Sequence, residues 1–283
     1  MGTSKERPCA ARPGDEQPHG RELGGILLTV AYEGTRFAGF APQPGQRTVA
    51  GTLLAALRGL DPQISRLRGA SRTDTGVHAR GQRVAFDTAS GIPPRGWVRG
   101  LAPRLPPDLA IRAAAIVPAG FVPRFEAVRK TYRYLLLCER ARDPFWVGRA
   151  WRLDGLDAAR ALPLLGRELG AARGTHDFAA FRSAQDRRTG TARTIHEVVV
   201  SRAGLGPAML GLSIVGDGFL HHMVRILVGT AVDVARGRLE PGAMGRALES
   251  GNRRHAGITA PPDGLYLERV ELRSAGTDGW PGA

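Results

Sequence analysis

Gly69-Ala70-Ser71-Arg72-Thr73-Asp74-Thr75-Gly76-Val77-His78 joins two segments that read as sheet, and it is the densest polar cluster in the chain. Small residues, an arginine, an aspartate and a glycine in one connection are what a turn uses, because Asp and Thr side chains satisfy nearby backbone groups. The same loop has a second reading, in which Asp74 is a carboxylate nucleophile or base with Arg72 and His78 oriented beside it. Upstream, Ile26 to Tyr32 is a short apolar run closed by Glu33-Gly34, a strand entering a turn. Thr48 to Leu60 carries apolar residues at 49, 53, 54 and 57 behind a threonine cap, the pattern of an amphipathic helix. Beyond the loop, Val84 and Phe86 alternate with Arg83, Ala85 and Asp87 as a second strand.

Proline is dense from 93 to 107 and recurs at 118 and 123, which predicts a crossing segment between two halves. Lys130 to Glu139 then reads as a strand, Leu156 to Arg173 as a helix disturbed by Pro163, and Arg193 to Arg202 as a strand. Gly204-Leu205-Gly206-Pro207 turns the chain into the strand Met209 to Val215. Phe219 to Arg236 is the longest helical stretch, and Gly264 to Leu272 is a closing strand. Both halves alternate strands and helices without the glycine-rich phosphate loop of a doubly wound nucleotide fold. The expectation is an α+β protein whose two halves share a sheet and flank a cleft. Its divisions are a disordered tail at 1–22, an N-terminal half at 23–117, a C-terminal half at 118–272 and a short tail at 273–283.

The 283 residues hold 40 Lys+Arg against 26 Asp+Glu, a net charge of +14. Only Lys5 and Lys130 are lysines, so 38 of the basic residues are arginine. A GC-rich genome accounts for arginine in place of lysine, but not for the sign of the balance. That excess concentrates polyanions at the surface, and arginine both forks onto phosphate and stacks on bases. Nucleic acid is therefore the first partner to test. Two cysteines, Cys9 and Cys138, exclude a disulfide scaffold or a cysteine-built zinc site. No apolar run approaches the roughly 18 residues of a bilayer span, so the expectation is a soluble protein with no membrane partner.

Within the long helical stretch, Phe219, Met223 and Ile226 make one apolar stripe and Leu220, Val224 and Leu227 another, which leaves little of it to face water. Arg225 therefore either snorkels from one edge or needs an anion, and Asp233 is too far along for an i to i+4 pair. The anion must come from another element or from a bound phosphate. His221-His222 invites a metal reading, but adjacent helical residues point about 100° apart, which favours packing or hydrogen bonding instead. Tyr132 and Tyr134 share one face of their strand, as core residues or as a platform for an unpaired base.

Taken in order, the motifs resemble the tRNA pseudouridine synthase A family. They are Tyr32-Glu33-Gly34-Thr35-Arg36-Phe37-Ala38-Gly39-Phe40, Thr48-Val49, Arg72-Thr73-Asp74-Thr75-Gly76-Val77-His78, and Phe125-Glu126-Ala127 with Lys130-Thr131-Tyr132-Arg133-Tyr134. His176-Asp177-Phe178 with Phe181-Arg182, Arg193-Thr194-Ile195, Gly218-Phe219-Leu220-His221-His222-Met223-Val224-Arg225, and Thr259-Ala260-Pro261-Pro262 with Gly264-Leu265-Tyr266-Leu267 complete the set. The resemblance covers about residues 25 to 272. It implies the pseudouridine synthase fold: a mixed, mainly antiparallel sheet with helices on one face and a central basic cleft.

It also implies that uridine becomes pseudouridine at positions 38 to 40 of the tRNA anticodon stem-loop, without a cofactor or metal, in a cytoplasmic homodimer. The family's essential aspartate falls on Asp74, the tyrosine that stacks on the uracil on Tyr132, and the arginine that pairs with the aspartate on Arg225. Arg72 matches the arginine that takes the flipped base's place, and Leu265 an apolar residue of the pocket. His78, Lys130, Phe181, Arg182 and His222 lie within the matching motifs and are expected to bind substrate. The chain departs from the pattern at Phe40-Ala41, at Ala50 after Thr48-Val49, at Ser71 for glycine, at Thr75 for alanine and at Ala102-Pro103-Arg104. Several of these positions help to place tRNA in the family. They motivate two alternatives: a diverged synthase acting on another RNA or nucleoside, and a non-catalytic RNA-binding paralogue.

Overall fold

The apolar run before Glu33 forms strand β1 (Gly24–Tyr32), and Thr48 caps helix α1 (Val49–Arg58) by accepting a 3.2 Å hydrogen bond from the Gly51 amide. Such a cap satisfies one of the free first-turn amides and stabilises a helix by about 1 kcal/mol. Strand β2 (Arg68–Gly69) leads through the polar loop into β3 (His78–Thr88). The proline-dense segment forms helix α2 (Pro94–Leu101), because a proline in the first turn has no needed amide to lose and its fixed φ suits the helix. Strand β4 (Leu109–Val117) follows, and the prolines at 118 and 123, also part of the expected crossing, lie just after it and at the start of the one-turn helix α3 (Pro123–Glu126). The computed structural model describes residues 23–186, 189–206 and 208–273. The tails expected at 1–22 and 273–283 lie outside these, apart from Arg273, as does Pro207 of the expected turn.

The second half runs β5 (Ala127–Leu137), β6 (Trp151–Arg152), α4 (Ala158–Gly170), β7 (Gly174–Asp177), β8 (Ala192–Arg202), β9 (Met209–Gly216), α5 (Met223–Ala235), α6 (Ala243–Ser250) and β10 (Leu265–Leu272). Asp157 caps α4, accepting from the Arg160 amide at 2.8 Å, and Pro163 stands inside the helix as expected.

All ten strands form one sheet, ordered β4-β1-β3-β10-β5-β9-β8-β7, with β2 against β3 and β6 against β5. The β10–β3 and β5–β6 pairings are parallel and the rest antiparallel, which makes the protein a mixed, mainly antiparallel α+β fold. The last strand in the chain thus lies mid-sheet. It holds β3 only at Tyr266 to His78 and Leu267 to Ala79; farther along, β3 pairs with β2 instead while β10 stays with β5, so the sheet parts between β3 and β10. This parting is the cleft.

One face of the sheet and the helices share a single core. Leu28 and Val30 of β1, Val84 and Phe86 of β3, Tyr134 and Leu136 of β5 and Ile214 of β9 pack with Leu53, Trp97, Leu165 and Leu227 from the helices. Strand alternation turns Leu135 and Leu137 of β5 to the other face, where they meet Met209 and Ala150 in a small separate cluster. Among the described residues no helix is long and apolar enough to cross a membrane.

Candidate active site

The polar loop is held from three sides. Its Thr73 carbonyl accepts the Phe40 amide at 3.0 Å, and the Thr73 hydroxyl meets the buried Tyr32 hydroxyl at 2.8 Å. Gly39 makes this approach possible: its φ is +85°, and a Cβ there would stand 2.8 Å from the Thr73 oxygen. From β3, the Gln82 amide nitrogen donates to the Ser71 carbonyl at 2.7 Å. From β5, Lys130 Nζ donates to the Ala70 carbonyl at 3.0 Å, and the Tyr132 hydroxyl lies 3.2 Å from Ser71 Oγ. The loop therefore bridges the parting in the sheet, with Asp74 at its tip.

Helix α5 brings the cation that the sequence required a partner for. Arg225 Nη1 donates to Asp74 Oδ2 at 3.2 Å while Nε donates to the Ala260 carbonyl at 2.7 Å. Its side chain is only 14% exposed, so it does not snorkel; the anion comes from another element, 151 residues away. Gly229, one turn on, lets the backbone of 258–260 lie against the helix, since a Cβ there would meet the Ile258 carbonyl.

The helix starts at Met223, four residues later than expected, because His222 takes a left-handed conformation (φ 64°, ψ 0°). The reasoning that set His221 and His222 about 100° apart on a helix fails for this reason. Both converge on Asp74, with His221 Nε2 3.3 Å from Oδ1 and His222 Nε2 3.3 Å from Oδ2. The expected substrate-binding residues include His222 but not His221, and side-chain periodicity carries no signal of a backbone reversal. Asp74, His221 and His222 are also the described group whose donor atoms lie close enough together to hold a metal ion. The Arg225 guanidinium already places a cation on the same carboxylate, which disfavours a second.

The remaining candidates separate. Tyr132 lines the cleft with Phe219 edge-on at 5.0 Å, and burial pushes its phenol up to about 12. Leu265 sits on β10 opposite Tyr134, nearly buried. Arg72 is exposed on the loop and forms no ion pair among the described residues, and Arg182 is half-buried. Lys130 braces the loop from below. Two candidates have no free surface for RNA. Phe181 is fully buried, packed against Phe178. His78 is buried too: Nδ1 accepts the Gly34 amide at 3.0 Å, which leaves Nε2 to donate to the Asp263 carbonyl at 2.9 Å. Burial holds its pKa below the usual histidine value, as a neutral ring with both nitrogens occupied requires.

The profile of a family described as tRNA pseudouridine synthase matches residues 28–126 and 171–272. This chain belongs to the tRNA pseudouridine synthase family. Among its relatives, the tRNA pseudouridine synthase A of Geobacter sulfurreducens is 40% identical over 247 residues, covering 87% of this chain and 99% of that one. That of Bacillus subtilis (strain 168) is 40% identical over 251 residues, 87% and 98%, and that of Geobacter sp. (strain M21) 39% over 249 residues, 87% and 97%. Among solved structures, a chain from a Cbf5-Nop10-Gar1 complex aligns at a TM-score of 0.36 and 13% identity, over 94% of this chain and 55% of that chain, too distant to add to the assignment. Pseudouridine synthases are isomerases, and so is this enzyme. In the synthase, Arg72, Asp74, His221, His222, Arg225 and Leu265 fall within the matched stretches, whereas Lys130 and Tyr132 lie between them.

Proposed function

We propose that this tRNA pseudouridine synthase acts on the anticodon stem-loop, at positions 38 to 40, as a homodimer in the cytoplasm, with Asp74 as the reacting carboxylate. The observation that carries the reading is the Asp74–Arg225 pair, an acid and a buried cation drawn from distant elements into the cleft. The reaction breaks the bond from N1 to C1′ and forms one from C5 to C1′; the C5 proton leaves to solvent and N1 gains a proton. Asp74 either attacks C1′ or removes the 2′ proton. Arg225, 3.2 Å away, stabilises its negative charge by direct attraction.

Tyr132, neutral at physiological pH, packs the uracil and is not a ready base. Leu265 completes the apolar wall, and Arg72 fills the space left by the flipped base, offsetting the few kcal/mol that extrusion costs. Cys138, unpaired and half-buried, suits a reducing compartment, which is also where tRNA is.

Only some of the departures from the family pattern are taken up by the interior; Thr75 and Ala102-Pro103-Arg104 are exposed, and it is there that a diverged substrate would be read. Phe40 is buried over Gly69, Ala50 is buried in α1, and Ser71 gains the contact with the Tyr132 hydroxyl. Release of tritium from C5-labelled uridine in unmodified tRNA tests the activity. Wild type is expected to release it and Asp74→Ala to release none; full release by Asp74→Ala would remove Asp74 from the chemistry. Mapping pseudouridine in RNA from a deletion strain tests the site, with loss confined to positions 38 to 40 as the expected result.

A further inference from the structure

We propose that His221 and His222 are positioning residues for Asp74: with Arg225 they cradle both carboxylate oxygens and fix the direction in which the acid meets the ribose. The inference rests on Asp74 being the reacting group, and it assigns His222 to the carboxylate and not to substrate.

Three observations carry it. The imidazoles divide the carboxylate between them, His221 on Oδ1 and His222 on Oδ2, each at 3.3 Å, while Arg225 shares Oδ2 at 3.2 Å. Neighbouring residues on a helix or a strand cannot face one group from the same side. The left-handed turn at His222 removes that bar and brings the rings to 4.0 Å of each other. His222 is the one non-glycine residue with positive φ among the described residues. L-residues hold that conformation at a free-energy cost, and it persists where the surroundings enforce it, most often at functional sites.

The surroundings here do enforce it. The His221 carbonyl accepts the Ser183 amide and the His221 amide donates to Asp186 Oδ2, each at 2.9 Å, while the His222 carbonyl accepts the Ile226 amide at 3.0 Å as α5 begins. A purely structural role for the His222 ring is disfavoured, because it stands at the helix N-cap position and makes no capping bond. Burial, opposed by the Asp74 carboxylate and aided by the Arg225 guanidinium, holds the His222 pKa below the usual value. A neutral ring can offer N–H to the carboxylate without adding a second full charge.

The experiment compares His221→Asn, His221→Gln, His222→Asn, His222→Gln and His222→Gly in C5 tritium release, reading kcat, KM for tRNA and Tm. A glutamine amide nitrogen falls near the place of imidazole Nε2 and keeps a donor on Asp74, whereas asparagine falls short. The asparagine variants are expected to lose about 10- to 100-fold in kcat, the scale of a misplaced reacting group, with KM within about twofold of wild type. The glutamine variants are expected to recover most of that loss. His222→Gly relieves the positive φ, so it is expected to hold or raise Tm while losing kcat. Wild-type kcat in the asparagine variants, a rise in KM alone, or equal loss by Asn and Gln would each overturn the proposal. If the wild type itself binds tRNA and releases no tritium, the proposed function fails with it, a result distinct from failure of the histidine variants alone.

Discussion

Replacing Arg225 with methionine keeps most of the side chain's volume in α5 and removes the one guanidinium on Asp74 among the described residues. Breaking a buried ion pair from one side costs about 3–5 kcal/mol. Asp74 is 25% exposed and keeps two imidazoles, so the loss is placed lower, at about 2–3 kcal/mol. If that stabilisation is needed where the carboxylate reacts, the rate falls about 30- to 160-fold at 1.36 kcal/mol per decade. Single-turnover tritium release with saturating enzyme reads this without interference from product release. Arg225→Lys keeps the charge but cannot reach both Asp74 and the Ala260 carbonyl, so a smaller loss of about tenfold is expected. An Arg225→Met enzyme that turns over at the wild-type rate would refute the reasoning. So would a fall in Tm with no fall in rate, which would make the pair a structural strut.

Three further outcomes follow from the geometry. Phe181→Ala empties a fully buried site and is expected to cost about 3–5 kcal/mol of stability in denaturant unfolding, with KM for tRNA unchanged in the fraction that folds; an isolated KM effect would restore it to the RNA surface. Gly39→Ala forces a Cβ against the Thr73 oxygen at positive φ, so about 1–3 kcal/mol of stability and much of the activity should be lost together, read by Tm and tritium release. His78, depressed by burial, is neutral in the folded protein and protonates more readily unfolded, so the unfolded state binds more protons just below the ordinary value of 6.5. Stability is then full above about pH 6.5 and declines as pH falls toward the folded pKa; His78→Gln should flatten the Tm-against-pH curve there, and an unchanged slope would count against this assignment.

Much of this was legible in the residues. Thr48 before a 3.6-period apolar run marks α1, because caps and periodicity are local properties, and α4 forms within the expected 156–173 with Pro163 inside it. The need of Arg225 for an anion from elsewhere followed from its apolar neighbours. Strand β4 has no clear signature in the sequence, because Ala113, Ala114 and Ala115 blur the alternation that marks a half-buried strand. Pro93-Pro94 read as a break because proline both interrupts and initiates helices, and only tertiary context decides which. His78 and Phe181 sit inside motifs that match the family, yet both are buried, and a linear motif does not tell a buried member from an exposed one. The reversal at His222 is a backbone event with no side-chain signature.

The carbonyls at 260, 261 and 263 accept from Arg225, Tyr134 and His78, and β10 follows at once to fill the middle of the sheet. One short stretch of backbone thus ties α5, β5 and β3 together, so any change in its path would shift the guanidinium, the phenol and the imidazole as one body.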